Sequence, residues 1–215
     1  MVEARLAEEE GYSTDEGYST KDEGGGYSRL VRAALEARCM DVKRLIQVEE
    51  CDVDEPDASG DTALIAAIRS GSVEAVRLLV EEGEADIEET GAGVLSPVLL
   101  AAQAGRWELV RYLASRGAEL SVVEPNTGAT VGLMVATAGE WPLLKYLLEH
   151  TDADVDDKDT LGNTVVHMAV LAGEWDMVTY LMGKGADVDE ECAPNQMRDV
   201  PAVRPCTPIV LAASA

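Results

Sequence analysis

From Thr164 to Asp189 the apolar positions fall into two clusters with a glycine between them. Val166, Met168, Ala169 and Val170 crowd the first cluster. Trp175, Val178, Leu181 and Met182 recur at helical spacing in the second. Gly173 has no Cβ and turns the chain cheaply between the two. Gly185 closes the second before the acidic run Ala186-Asp187-Val188-Asp189. The pattern predicts two short helices and a turn. Neither helix is long enough to hold in water by itself, so the unit must stack on others like it.

The chain supplies those partners at a fixed interval. Gly71, Gly105, Gly139 and Gly173 lie 34 residues apart, and Ala37 stands 34 residues before the first of them. The hydroxyls Thr62, Ser96, Thr130 and Thr164 each precede these glycines by nine residues. Ala67, Ala101 and Ala169 form a further column, with Val135 in the third place, and Val42, Val76, Val110, Leu144 and Val178 form another. Such a period predicts a solenoid. Residues 29–56 make an atypical first unit, with helices expected over Leu30–Leu35 and Asp41–Gln47 and with neither the opening Thr nor the break glycine, so they read as an N-terminal cap. Four full units follow at 57–90, 91–124, 125–158 and 159–190. A Pro-rich insertion over 191–206 precedes an incomplete unit over 207–215, opened by Thr207-Pro208-Ile209-Val210-Leu211-Ala212-Ala213. That half unit favours a piece of something longer over an unusual cap.

Two families share a period near this one. In the tetratricopeptide repeat the glycine follows the Trp, whereas here Gly105, Gly139 and Gly173 precede Trp107, Trp141 and Trp175. The turns also differ, with Gly60, Gly128 and Gly162 two residues before Thr62, Thr130 and Thr164. The chain instead resembles the ankyrin repeat. Ser96-Pro97-Val98-Leu99-Leu100-Ala101-Ala102, Thr164-Val165-Val166-His167-Met168-Ala169 and Gly185-Ala186-Asp187-Val188-Asp189 carry the likeness, which covers about residues 29–215. The usual ankyrin period is one residue shorter. The extra residue falls in turns such as Gly83-Glu84-Ala85-Asp86 and His150-Thr151-Asp152-Ala153-Asp154. The resemblance implies an all-α ankyrin-repeat solenoid of stacked helix pairs with protruding hairpin loops.

Composition narrows the function classes. Of 215 residues, 41 are acidic and 17 basic, a net charge of −24. Such a field opposes nucleic acid and anionic lipid and favours a basic protein partner, beyond its effect on solubility. No apolar window is long enough to span a membrane, and the N-terminus lacks the layout of a signal peptide. Cys39, Cys51, Cys192 and Cys206 are scattered and form no CxxC pair, so reduced thiols in the cytoplasm or nucleus are expected. Residues 1–28 hold a small duplication, Gly-Tyr-Ser-Thr at Gly11 and again at Gly17, with no apolar period, and are expected to be a disordered acidic tail. Ser13, Ser19 and Thr20 would suit an acid-directed kinase, and the plainer reading is a solvated low-complexity segment.

No constellation of catalytic residues stands out. Trp107, Trp141 and Trp175 share one repeat column and are expected to pack between units, as are Tyr112, Tyr146 and Tyr180, with their hydroxyls reaching solvent or backbone. His167 matches the histidine that ties turns together in ankyrin repeats, where the other units carry Ile65, Leu99, Leu133 and Val210. Gly183-Lys184 lacks the rest of a phosphate loop, and Gly91-Ala92-Gly93 opens no dinucleotide turn. Asp54, Glu88, Asp156 and Asp189 recur at the repeat period and predict an acidic edge. The chain is therefore not expected to be an enzyme, nor to need a cofactor or metal.

The resemblance implies a scaffold or adaptor that binds a protein through its turn tips and inner helix face, acting as a monomer. The other reading is a regulatory or substrate-recruiting module of a larger enzyme, channel or ligase subunit. Carried over by column, the implied contacts run through Ala58, Ser59, Asp61, Arg69 and Ser70, then Ala92, Gly93, Leu95, Gln103 and Ala104. They continue through Asn126, Thr127, Ala129, Thr137 and Ala138, and end with Thr160, Leu161, Asn163, Leu171 and Ala172. Leu95, Leu161 and Leu171 are the apolar anchors of that set.

Overall fold

The computed structural model describes residues 29–187 except residues 50, 92 and 94. The N-terminal tail, the insertion over 191–206, the half unit over 207–215, Ala92 and Asp189 therefore lie outside the described residues. Within them the chain forms five helix pairs. These are α1 (Arg29–Leu35) with α2 (Cys39–Gln47), α3 (Ala63–Ser70) with α4 (Val73–Glu81), α5 (Pro97–Gln103) with α6 (Trp107–Ser115), α7 (Val131–Thr137) with α8 (Trp141–His150), and α9 (Val165–Ala172) with α10 (Trp175–Gly183). Each pair matches one unit of the sequence period. The one strand-like pairing among the described residues is an isolated antiparallel bridge between Val123 and Thr130, inside a connecting hairpin.

Local chemistry sets the helix ends. Thr62 accepts a hydrogen bond from the Ile65 amide and starts α3, and Ser72 does the same for α4 through the Ala75 amide. Pro97 begins α5, where its missing N–H is no loss. Each first helix ends with a six-residue closure in which the amide five residues after the alanine column bonds back to that column's carbonyl. The amides of Ser72, Arg106, Glu140 and Glu174 reach the carbonyls of Ala67, Ala101, Val135 and Ala169 at 2.9–3.3 Å. This closure needs a left-handed residue, and Gly71 and Gly173 supply φ of 78° and 75°. In the first unit the same closure forms, with the Arg38 amide 2.8 Å from the Ala33 carbonyl, but Ala37 must adopt φ of 54°. Missing its glycine, the cap keeps the turn and takes the strain in an alanine.

The first helices stack in one layer, α1 on α3, α3 on α5, α5 on α7 and α7 on α9. The second helices stack in another, α2 on α4, α4 on α6 and α6 on α8. Apolar side chains fill the space between the layers. Leu79, Leu113, Leu147 and Leu181 are each wholly buried, one per unit. The small residues of the alanine column are wholly buried too, which lets the first helices approach closely. The result is the all-helical solenoid that the period predicts.

One turn departs from its sequence alignment. By period Gly83 aligns with Gly117, but the buried alanines Ala85, Ala118 and Ala186 are the residues whose amides bond to Leu79, Leu113 and Leu181. Glu84 therefore stands in the place of Gly117 and takes the left-handed backbone, φ 54°. Gly83 is the inserted residue. A Cβ there would lie 2.7 Å from the Leu79 carbonyl oxygen and 2.9 Å from Val53.

Candidate interaction surface

The C-terminal ends of α3, α5, α7 and α9 bring four pairs into one column: Arg69 and Ser70, Gln103 and Ala104, Thr137 and Ala138, and Leu171 and Ala172. Their freedom differs. Arg69 is ion-paired to Asp61. The Ser70 hydroxyl donates to the carbonyls of Ala67 at 2.8 Å and Ala34 at 3.2 Å, so it joins two units. Thr137 is exposed, its hydroxyl donating to Leu133 of its own helix. Gln103, Ala104, Ala138 and Ala172 are exposed, and Leu171 is 62% exposed. Of the three anchors, Leu171 alone is open. Leu161 is half-buried, and Leu95 packs against the core.

The hairpin tips are built around carboxylates. Asp57 accepts from the amides of Ser59 at 2.8 Å and Asp61 at 3.0 Å. Asp159 does the same for Leu161 at 2.9 Å and Asn163 at 2.8 Å, and also takes the Asn163 side chain. The hairpin that leads into α7 is one residue longer, and the longer side chain of Glu124 fills the role. It accepts from the Thr127 amide and hydroxyl at 2.7 and 2.8 Å and from the Asn126 amide and side chain at 3.1 and 2.6 Å. Those bonds, Thr127's first, hold the Glu124 carboxyl below its ordinary range. Ala58, Ser59, Gly93, Asn126, Thr127 and Thr160 are exposed at these tips, whereas Ala129 is half-buried. The Thr160 amide donates to the Thr127 carbonyl at 2.8 Å and joins two neighbouring hairpins.

The acidic edge has a structural task. Asp54 accepts from the Asp86 amide at 3.1 Å, Glu88 from Glu119 at 2.9 Å, and Asp156 from Asp187 at 3.0 Å. Each carboxylate thus ties its turn to the turn of the next unit. Val122 occupies the same column in the third unit and offers no acceptor. Nearby, burial pushes the Asp157 carboxyl up, against a hydrogen bond from Thr130 and aided by the charges of Asp154 and Asp156.

A second ladder runs along the second helices. The Tyr112 and Tyr180 hydroxyls donate at 3.1 Å to Glu81 and Glu149 of the preceding unit, so they reach a carboxylate rather than the solvent or backbone expected from sequence. Arg77, Arg111 and Lys145 of the preceding unit lie 5.5, 4.8 and 4.9 Å from the ring centres of Tyr112, Tyr146 and Tyr180. Each ring also meets a base or imidazole one turn on, Arg116, His150 and Lys184. Before Tyr146, Ser115 holds the column that Glu81 and Glu149 hold for the other two. These columns repeat in the sequence and were available to it, but only the packing of second helix on second helix gives them meaning.

His167 is wholly buried and does tie its turn. Its Nδ1 accepts the Thr164 amide at 3.2 Å and lies 2.9 Å from the Thr164 hydroxyl, which makes Nδ1 the unprotonated nitrogen. Trp107 and Trp141 are half-buried against the core, as their column predicts. Trp175 departs from it and is 47% exposed. Among the described residues no group of three or more His, Cys, Asp or Glu side chains is placed to hold a metal ion, and no helix is long and apolar enough to cross a membrane.

Comparison with known proteins bears on this architecture. The family profile for ankyrin repeats (3 copies) matches residues 30–124 and 99–192. No curated protein sequence matches the chain. Among solved structures, EF0377, an ankyrin repeat protein, is 28% identical with a TM-score of 0.68, covering 86% of this chain and 90% of its own. A chain from the complex of the Bd0816 predatory endopeptidase of Bdellovibrio bacteriovorus with the immunity protein Bd3460 also has a TM-score of 0.68. It is 20% identical and covers 88% of this chain and 93% of that one.

Proposed function

Because the chain belongs to the ankyrin-repeat family, whose repeats are generally protein–protein interaction modules, we propose that it is a binding scaffold that engages a basic protein partner. The contact runs along the ends of the first helices and the hairpin tips. The observation that supports this face is the exposed column of Gln103, Thr137 and Leu171, set at one position of three successive units on helices whose opposite sides are locked into the core. A rigid array of this kind keeps the spacing of its contacts before the partner arrives, which lowers the entropic cost of binding. The candidate contacts are Arg69, Ser70, Leu95, Gln103, Ala104, Asn126, Thr127, Thr137, Thr160, Leu161, Asn163 and Leu171. The exposed members, Leu171 above all, carry the affinity, and the half-buried Leu95 and Leu161 shape the floor. The net charge of −24 steers a basic partner toward the array.

The full chain used as bait, beside a Gln103→Arg, Thr137→Arg, Leu171→Arg variant, tests the face. All three positions are exposed, so the variant should melt as the parent does. Loss of one recovered protein with the variant supports the reading. Equal recovery from both removes this face, and an association rate that does not fall with salt removes the steering.

A further inference from the structure

The residue after each break glycine sits in the turn that closes a first helix. In the second to fifth units it is Ser72, Arg106, Glu140 and Glu174. Arg106 reaches back across its joint and lays its guanidinium on the turn of the preceding unit. A Cβ at Gly71 would lie 2.7 Å from the Arg106 Cζ and 2.9 Å from its Nε. A turn without a Cβ admits the flat guanidinium this closely. The next two turns offer the same place and the chain leaves it open. Beyond its chain neighbours, a Cβ at Gly105 would meet nothing within 4 Å, and one at Gly139 would meet only Trp141 Nε1, at 4.0 Å.

By the repeat, Glu140 stands to Gly105 as Arg106 stands to Gly71, and Glu174 stands so to Gly139. Each open place is thus served by a carboxylate where the earlier one is filled by a base. Glu174 is exposed and Glu140 half-buried. Among the described residues neither forms an ion pair. The two turns border the exposed column, because Gln103 and Thr137 end the helices that Gly105 and Gly139 close.

We propose that the ends of α5 and α7 take two guanidinium groups from the partner, one over Gly105 against Glu140 and one over Gly139 against Glu174. The inference rests on the first-helix column as the partner's face and adds the chemistry of what lies there. Packed helices lie roughly 8–10 Å apart. A polyproline II segment rises about 3.1 Å per residue and returns to the same side every three residues, so two arginines three apart stand about 9 Å apart on one side. The occupant is an extended segment of the partner that carries Arg-x-x-Arg. Lysine serves less well, because its ammonium is a compact point charge with no flat face. The match ends at Gly71, where Arg106 already fills the place and repels a further base.

Fluorescence anisotropy with the full chain and a labelled peptide containing Arg-Pro-Pro-Arg tests this. A peptide of the same composition with adjacent arginines, Arg-Arg-Pro-Pro, should bind more weakly, and so should Lys-Pro-Pro-Lys. Glu140→Gln and Glu174→Gln should each weaken the first peptide by about two- to fivefold and leave the melt unchanged. Glu140→Arg lays the chain's own guanidinium over Gly105 and should weaken it further. Absence of binding overturns the proposal, as does equal affinity for the two arginine spacings or equal affinity of the parent and the Gln variants. Equal binding of the lysine peptide overturns the guanidinium assignment. Failure here is distinct from failure of the face. If the Gln103→Arg, Thr137→Arg, Leu171→Arg bait loses the partner and a Glu140→Arg, Glu174→Arg bait keeps it, the face stands and the two cation places fall.

Discussion

Ala37 does a glycine's task in the cap, and the cost of that can be worked out. Its φ of 54° lies in the left-handed region, where an L-residue with a Cβ is disfavoured by about 1–2 kcal/mol. The side chain is exposed, so Ala37→Gly removes no core contact. Glycine brings a more disordered unfolded chain, which takes back about 0.4–1 kcal/mol. The net is a stabilisation of about 0.5–1 kcal/mol, or about 1–4 °C in melting temperature for a chain of this size. Gly173→Ala provides the mirror image. Its φ is 75°, a Cβ there meets nothing within 4 Å, and the same two terms act with reversed sign. Urea unfolding followed by circular dichroism should move the two midpoints in opposite directions by similar amounts, at unchanged slope. Should Ala37→Gly lower the midpoint, or Gly173→Ala raise it, the backbone-strain account of the five helix closures is wrong.

Three further outcomes follow from the ladders and caps. Tyr112→Phe and Tyr180→Phe each remove a hydroxyl bonded to a carboxylate and should cost about 0.5–1.5 kcal/mol in chemical unfolding, whereas Tyr146→Phe, with Ser115 in place of the acid, should cost less than either. His167→Ala leaves the buried Thr164 amide unpaired beside a cavity and should cost about 2–4 kcal/mol. His167→Leu refills the volume but not the bond and should cost about 1–2 kcal/mol by the same measurement. Glu124 has a lowered carboxyl pKa in the fold, so its stabilisation is full above the ordinary carboxylate pKa and is lost as pH falls through the lowered value. Glu124→Gln should therefore lower the melting temperature at neutral pH and narrow the gap from the parent in acid. A gap that widens on acidification contradicts the hydrogen-bonded role.

Most of this fold is legible in the repeat period of the sequence. Apolar spacing placed the helix pairs, and the glycine and hydroxyl columns placed their ends. Gly83 shows where one-dimensional register fails. Alignment by glycine puts it opposite Gly117, but burial of Ala85 decides the turn and forces Glu84 into the left-handed position. The acidic column at Asp54, Glu88 and Asp156 was visible in the sequence as charge, but its partner amides lie 31 or 32 residues further on and appear only when turns are stacked. The interaction column rests on the resemblance. Sequence alone could not separate the open Leu171 from Leu95, because both are leucines in a repeat and burial is settled by neighbours in space.

Both ladders lose their carboxylate at the same joint. Val122 offers none to the fourth unit's turn and Ser115 none to Tyr146, so the third and fourth units keep only the Arg111 guanidinium over the Tyr146 ring from the second ladder. In a linear array, nearest-neighbour coupling decides which units melt together. The joint that lacks both carboxylates is expected to divide the described chain into two cooperative blocks, α1 to α6 and α7 to α10. Thermal fluctuations should open the array at that division first, and amide exchange should group the helices accordingly. A ligand that bridges both blocks would then gain by fusing them into one.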